Sequence, residues 1–375
     1  MTSPSDIRIP AELLPRDGRF GAGPSKVRRE QLEALLADGS TYMGTSHRQN
    51  TVKSKVGEVR EGLTSLFNLP EGYEVLLGNG GTTCFWDAAT FHLVRQQSQH
   101  LNFGEFSSKF TTAVKDAPHL NDPQVIKSEP GTHPDAVTDE TVDLYGLTHN
   151  ETSTGVSMKI RRPAGSTGLV AVDATSAAGG LRVDPTQFDC YYFAPQKSFA
   201  SDGGLWLALC SPKAVARIEE LKGSGRWTPA FLDLGIALEN SRLNQTYNTP
   251  ALATIHMLAS QIKWFNDNGG MDFSAGRSDR SAEILYSWAD ASDFATPFVQ
   301  DPDKRSPVIG TIDFDEAIDA AAIAQVLRAN GVVDTEPYRK LGRNQLRIAM
   351  FPGIDPEDVA ALCASINYIV GALAS

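Results

Sequence analysis

Basic residues, cysteines and long apolar runs are all scarce in this chain, and each shortage removes a class of function. Lysine and arginine number 34 against 45 aspartates and glutamates, a formal charge of -11 over 375 residues. Such a surface repels phosphate backbones and anionic lipid, so neither nucleic acid nor membrane is expected as a partner. The four cysteines, Cys84, Cys190, Cys210 and Cys363, form no CxxC pair and have no histidine at zinc-ligand spacing, so no metal is expected and they read as reduced, buried, small hydrophobes. The opening MTSPSDIRIPAELLPRDGRF has no basic start, apolar core or cleavage-like site, and no run reads as long and apolar enough to cross a bilayer. A cytoplasmic protein is the expectation. Internal repeats, low-complexity tracts, the GxGxxG dinucleotide fingerprint and the P-loop lysine are missing as well.

What remains is an ordinary globular composition, 41% hydrophobic and 21% charged, in a chain longer than one compact core usually organises. The first twenty residues, rich in proline and polar groups, predict an arm laid over the body. SKVRREQLEALLADG carries helical spacing at Val27, Leu32, Leu35 and Leu36, with a serine to cap it and Gly39 to stop it. VKSKVGEVREGLTSLFNL repeats the pattern, and EVLLGNGGTTCFWDAATFHLV passes from strand to helix through glycines. Short apolar runs then alternate with turns and helices: QHLNF, VDLYGLTHN, GLVAVDAT, DCYYFAP and GGLWLALCS. That alternation predicts an α/β protein whose large domain has a mostly parallel central sheet flanked by helices. Beyond the long helix in ATIHMLASQIKWFNDNGGMD, the order SDRSAEILYSWADAS, SPVIGTIDF, AIDAAAIAQVLRANGV, NQLRIAMF and a helix from Pro356 predicts a small α+β C-terminal domain. The expected division is an arm over 1–20, a large domain over 21–265 and a small one over 266–375.

Ligands of open α/β sheets bind beyond the carboxyl ends of the strands. In LLGNGGTTCFWDAA, Gly78, Gly80 and Gly81 let backbone amides approach an anion, and Thr82 and Thr83 add hydroxyls at a helix start. Asp173 ends one apolar strand. Lys197, in YYFAPQKSFASDGGLW, follows the next. Alone, the aspartate is a turn residue and the lysine a surface charge; presented together to one crevice, they suit pyridoxal phosphate. A lysine forms the covalent link, a carboxylate keeps the pyridine nitrogen protonated and a helix start holds the phosphate.

The ordered set GNGGTT, FGEFSSKF, HNETSTG, VDATSAAGG, FAPQKSFASDGGLW and NQTYNTP resembles the class V aminotransferase group of fold-type I pyridoxal phosphate enzymes, and within it the phosphoserine aminotransferase family. The resemblance runs from GAGPSKV near residue 21 to the C-terminal arginines. It implies that Lys197 holds the cofactor and moves a proton, that Asp173 meets the ring nitrogen, and that Phe106 supplies the aromatic face where the family commonly has tryptophan. By the same resemblance Thr152 reaches the cofactor edge, and Gly81, Thr82, Thr83 and Gln196 contact the phosphate. Asn248 and Thr249 match contributions made from the opposite subunit, which implies a homodimer with shared active sites.

The implied substrates are glutamate and 3-phosphooxypyruvate in serine biosynthesis, with a phosphorylated hydroxythreonine-type acid of vitamin B6 synthesis as a further one. His47 and Arg48 in GTSHRQN, with Arg339 and Arg347 in YRKLGRNQLRIAMF, match the family's anion-binding groups. Three features depart from a well-known form of the family: Thr82 stands in place of an arginine, Tyr338 in place of a histidine, and the spacing of the C-terminal arginines is longer. Lys340 and Arg343 are therefore candidate replacements for the missing charge. An alanine- or serine-glyoxylate aminotransferase would need fewer anion-binding groups. A cysteine desulfurase would need a mobile nucleophilic cysteine, and a non-enzymatic anion-binding protein would leave the Asp173 and Lys197 pairing without a purpose.

Overall fold

The computed structural model describes residues 4–374, so residues 1–3 of the expected arm and residue 375 of the last segment lie outside it. Seven strands form the large sheet: β1 (Glu74–Asn79), β2 (Ser98–Asn102), β3 (Gln124–Lys127), β4 (Leu144–Thr148), β7 (Leu169–Asp173), β8 (Cys190–Phe193) and β9 (Leu205–Cys210). Between β4 and β7 lies a two-stranded ribbon, β5 (Asn150–Glu151) and β6 (Val156–Ser157). The order across the large sheet is β1-β9-β8-β7-β4-β2-β3, and β9 alone runs against its neighbours.

Continuous apolar runs make these strands because both faces are covered. On β8 the two-residue alternation sends Tyr191 and Phe193 into one core and Cys190 and Tyr192 into the other. Around the sheet stand α1 (Arg29–Tyr42), α2 (Asn50–Leu66), α3 (Gly81–His92), α4 (Ser107–Asp116), α5 (Pro212–Gly223), α6 (Leu234–Arg242) and α7 (Leu252–Asp267). Their starts are chemically specified where capping is available. Ser211 accepts from the Ala214 amide ahead of Pro212 at α5, and Asp233 accepts from the Gly235 and Ile236 amides at α6.

The C-terminal part is a three-stranded antiparallel sheet, β10 (Ala295–Pro297), β11 (Ile309–Phe314) and β12 (Gln345–Ala349), with α8 (Met271–Asp290), α9 (Ala320–Ala329) and α10 (Pro356–Ala374). The N-terminal segment rests on it: the Phe20 amide donates to the Val333 carbonyl, and the Ser365 hydroxyl to the Leu13 carbonyl.

Two expectations need correction. Helix α1 starts at Arg29 and runs through Gly39; Leu32 is 50% and Leu36 83% exposed, and only Gln31 and Tyr42 are buried. Helical spacing marks an apolar stripe but not whether the same chain covers it. Helix α10, by length and composition alone, is apolar enough to cross a membrane. Its Val359, Leu362, Ile366 and Ile369 are buried in the main core, so the apolar run is accounted for by packing.

Candidate active site

Five loops meet at the carboxyl edge of the parallel strands, because β1, β2, β4, β7 and β8 all point the same way. Together they enclose a cavity of about 280 Å³. Gly81, Thr82, Thr83, Phe106, Thr152, Asp173, Gln196 and Lys197, expected to act together, all line it. After β1 the chain enters α3 through Gly80 (φ 110°) and Gly81 (φ 70°), a backbone that disfavours side chains, and no side chain caps the helix. The amides of that first turn are thus left for a ligand.

Asp173 closes β7, paired in register with Thr148 of β4 and Tyr192 of β8. Burial pushes its carboxyl up to about 6, while hydrogen bonds from Thr175 and Trp86 pull the other way. The Thr175 amide donates to Asp173 Oδ1 at 2.9 Å, and Trp86 Nε1 donates to Oδ2 at 3.0 Å. Thr175 Oγ1 lies 2.6 Å from Asp173 Oδ1 and 2.9 Å from Thr82 Oγ1. With one proton to give, that hydroxyl serves the carboxylate and accepts from Thr82.

Lys197 sits in the loop between β8 and β9, its Nζ donating to the Ala22 carbonyl at 2.5 Å. Burial pushes the amine down to about 8, helped by the Arg347 guanidinium and opposed by Asp173. Beside it Gln196 Oε1, and elsewhere in the lining Asn150 Oδ1, are buried without partners among the described residues. Thr152 Oγ1 donates to Ser176 Oγ at 2.8 Å. A site with a partly neutral amine, a buried carboxylate, an uncapped helix start and spare polar atoms matches the donor set that pyridoxal phosphate requires.

Among the described residues the Arg347 guanidinium, on β12, donates only to the Thr152 carbonyl, at 3.4 Å, and it lies 5.5 Å from the Tyr338 ring centroid. Its Nε is buried without a partner, it has no acidic partner among the described residues, and burial lowers its pKa. Arg339 is exposed and also without an ion pair among the described residues. The two candidate replacement cations are already engaged: Lys340 pairs with Glu105 at 2.7 Å, and Arg343 with Asp313 at 2.5 Å.

The structure keeps His47, Arg48, Asn248 and Thr249 out of this cavity and gathers them into a second group. Thr249 Oγ1 is 3.2 Å from His47 Nδ1, Arg48 Nη1 donates to Gln245 Oε1 at 3.1 Å, and Asn79 Nδ2 donates to Asn248 Oδ1 at 2.7 Å. His47 Nε2 is buried without a partner among the described residues, and burial, with Arg48 next to it, lowers the imidazole pKa.

Sequence reasoning missed Trp86, Asn150, Thr175 and Ser176 as lining residues. Two signals were present. Asn150 stands two positions before Thr152, and Thr175 and Ser176 come two and three positions after Asp173.

A lysine and a carboxylate at adjacent strand ends, facing a bare helix start in a mostly parallel sheet, define a fold-type I, pyridoxal phosphate-dependent transaminase. Residues 20–335 match the Aminotransferase class-V family, and the chain belongs to that family. It is similar to the phosphoserine aminotransferase of Rhodococcus jostii (strain RHA1), 62% identical over 366 residues that span 97% of this chain and 98% of that protein. Among solved structures, a phosphoserine aminotransferase from Cytophaga hutchinsonii superposes with a TM-score of 0.87 at 22% identity, over 94% of this chain and 99% of that one. A pyridoxal phosphate-bound phosphoserine aminotransferase from Trichomonas vaginalis gives 0.81 at 19%, over 94% and 100%.

Proposed function

We infer that the protein transfers an amino group reversibly between glutamate and 3-phosphooxypyruvate, giving O-phospho-L-serine and 2-oxoglutarate for serine biosynthesis. The observation that carries this reading is Arg347, a half-buried guanidinium without an acidic partner among the described residues, close enough to Lys197 to depress its amine. In a chain of charge -11, a cation kept free beside a nucleophilic amine suits an anionic amino acid. Near-full-length likeness to a phosphoserine aminotransferase points the same way.

Bound pyridoxal phosphate supplies the electron sink that stabilises the carbanion left when the substrate Cα loses its proton. Lys197, whose amine burial lowers to about 8, would bond the cofactor and would move the proton to and from the substrate Cα. Asp173 would meet the ring nitrogen, and Phe106 would cover the ring. Thr152 would reach the ring edge, Gly81, Thr82, Thr83 and Gln196 would hold the phosphate, and Arg347, with Arg339, would grip the α-carboxylate.

His47, Arg48, Asn248 and Thr249 complete the site of a second copy in a homodimer. Supporting this, the group lies outside its own chain's cavity, and the apolar side chains of Leu36, Phe231, Leu243 and Tyr247 are exposed. The chain divides at about residue 265 into a large domain and a small one that carries Arg339 and Arg347, and a cytoplasmic site of action goes with these substrates.

An amino-acceptor panel tests the reading. Enzyme loaded by glutamate is expected to return to its resting absorbance with 3-phosphooxypyruvate and poorly with pyruvate or glyoxylate. A preference for glyoxylate would make it a glyoxylate-linked aminotransferase instead. The keto acid of phosphorylated hydroxythreonine, in the same panel, decides the vitamin B6 substrate.

A further inference from the structure

Asn150 and Thr152 both line the cavity, while Glu151, the last residue of β5, and Ser153, in the turn 152–155, hydrogen-bond each other and the backbone of the loop that carries Phe106. Glu151 is 0% exposed, and its carboxylate has no cationic partner among the described residues. It accepts instead from the Phe106 amide at 3.3 Å, the Ser107 amide at 2.7 Å, the Ser153 amide at 3.1 Å and the Ser153 hydroxyl at 2.7 Å. Ser153 Oγ in turn accepts from the Glu105 amide at 3.1 Å. Three successive backbone donors, Glu105 to Ser107, are thus held by one buried pair of side chains at the positive end of α4.

The fit is close. A Cβ built on Gly104 would lie 2.3 Å from Glu151 Cγ, so the loop rests directly on this side chain. A buried carboxylate is costly unless its lone pairs are filled, and here they are filled by the loop that carries Phe106. We propose that Glu151 and Ser153 are positioning residues that set the height and tilt of the Phe106 ring over the cofactor. The proposal rests on the pyridoxal phosphate reading of the cavity.

The test titrates full-length apoprotein with pyridoxal phosphate and follows visible circular dichroism, which senses the orientation of the bound ring. Thermal unfolding of each apoprotein is recorded separately. Glu151→Gln turns an amide NH2 toward a backbone N–H; it is expected to weaken binding roughly tenfold or more and to lower the dichroism per bound cofactor. Ser153→Ala is expected to do the same to a smaller degree, and Ser153→Thr, which keeps the hydroxyl, to restore the wild-type signal. Variants with lower apoprotein stability but unchanged dichroism per bound cofactor overturn the positioning role. If Glu151→Gln does not fold, the alanine and threonine variants of Ser153 decide the matter by the same criterion. A wild type that takes up no pyridoxal phosphate brings down the reading of the cavity and the positioning role with it. Normal uptake with unaltered variants brings down the positioning role alone.

Discussion

Trp86 Nε1 donates a 3.0 Å hydrogen bond to Asp173 Oδ2, so helix α3, whose bare start faces the cavity, also braces the carboxylate at the end of β7. A single helix thereby ties together two parts of the cavity wall. Trp86→Phe removes the donor and part of the indole's packing, and the packing loss is the same at every pH. The Asp173 carboxyl is then expected to titrate above its present value of about 6, as read from its infrared band in apoprotein. The sign for stability follows from the raised value. Asp173's contribution is full below the unfolded-state value near ~3.9 and is lost as pH rises through the folded one. Chemical denaturation should therefore show the variant's deficit against wild type growing by about 1.5–3 kcal/mol between about pH 4 and about pH 8, where the bond is to a charged group. An equal deficit at both pH values would mean that the bond carries little weight.

The pair was half legible in the sequence. Asp173 was visible because it ends a continuous apolar strand and is followed by small residues. Trp86 was not, since its partner lies 87 positions away and an aromatic one turn into a helix is ordinarily packing. Lys340 and Arg343 failed for a similar reason: as text they are two spare cations, and only the fold brings Glu105 and Asp313 against them. The sheet was readable because strands buried on both faces leave long apolar signatures. The exposed stripe of α1 was not, because periodicity records an apolar face without recording what covers it.

Lys197 titrates near 8 because it is buried and because Arg347 stands close by. The rate at which apoprotein captures pyridoxal phosphate covalently should rise with pH around a midpoint near 8. Arg347→Leu should move that midpoint upward, since a repelling charge is removed while the burial stays. A depressed amine also has a stability consequence of opposite sign to that of Asp173. Its contribution is present above the unfolded value near ~10.4 and is lost as pH falls through 8. Apoprotein of Lys197→Met is accordingly expected to be more stable than wild type at about pH 7, by ~1–3 kcal/mol, with the gap closing as pH approaches ~10.4. A gap that widens with pH would contradict the assignment.

Arg339 and Arg343 are close in sequence and differ in company. Arg343 is held by Asp313 at 2.5 Å, whereas Arg339 is exposed with no ion pair among the described residues. Arg339→Ala should raise KM for 3-phosphooxypyruvate roughly tenfold or more, the loss of a charge-assisted contact. Arg343→Ala should change it less than about twofold and alter stability by no more than ~1 kcal/mol, as for other exposed ion pairs. Steady-state kinetics with the acceptor varied and glutamate saturating separates the two. A larger effect at Arg343 would reverse their roles.

Asn248 Oδ1 is fixed by Asn79 and Thr249 meets His47, in a group that its own cavity does not include. If that group serves the partner's site, two inactive variants must repair each other. Lys197→Ala lacks the amine, and Arg48→Glu reverses the charge of an exposed arginine whose guanidinium donates to Gln245. In a hybrid dimer one site carries both lesions and the other carries neither. Random exchange of equal amounts gives hybrids as half of all dimers, each with one intact site, so about a quarter of wild-type activity should return. Recovery should track hybrid formation, followed by native mass spectrometry with one subunit tagged. If hybrids form and the activity stays at the sum of the two parents, Arg48 acts within its own subunit or not at all, and the shared-site arrangement fails.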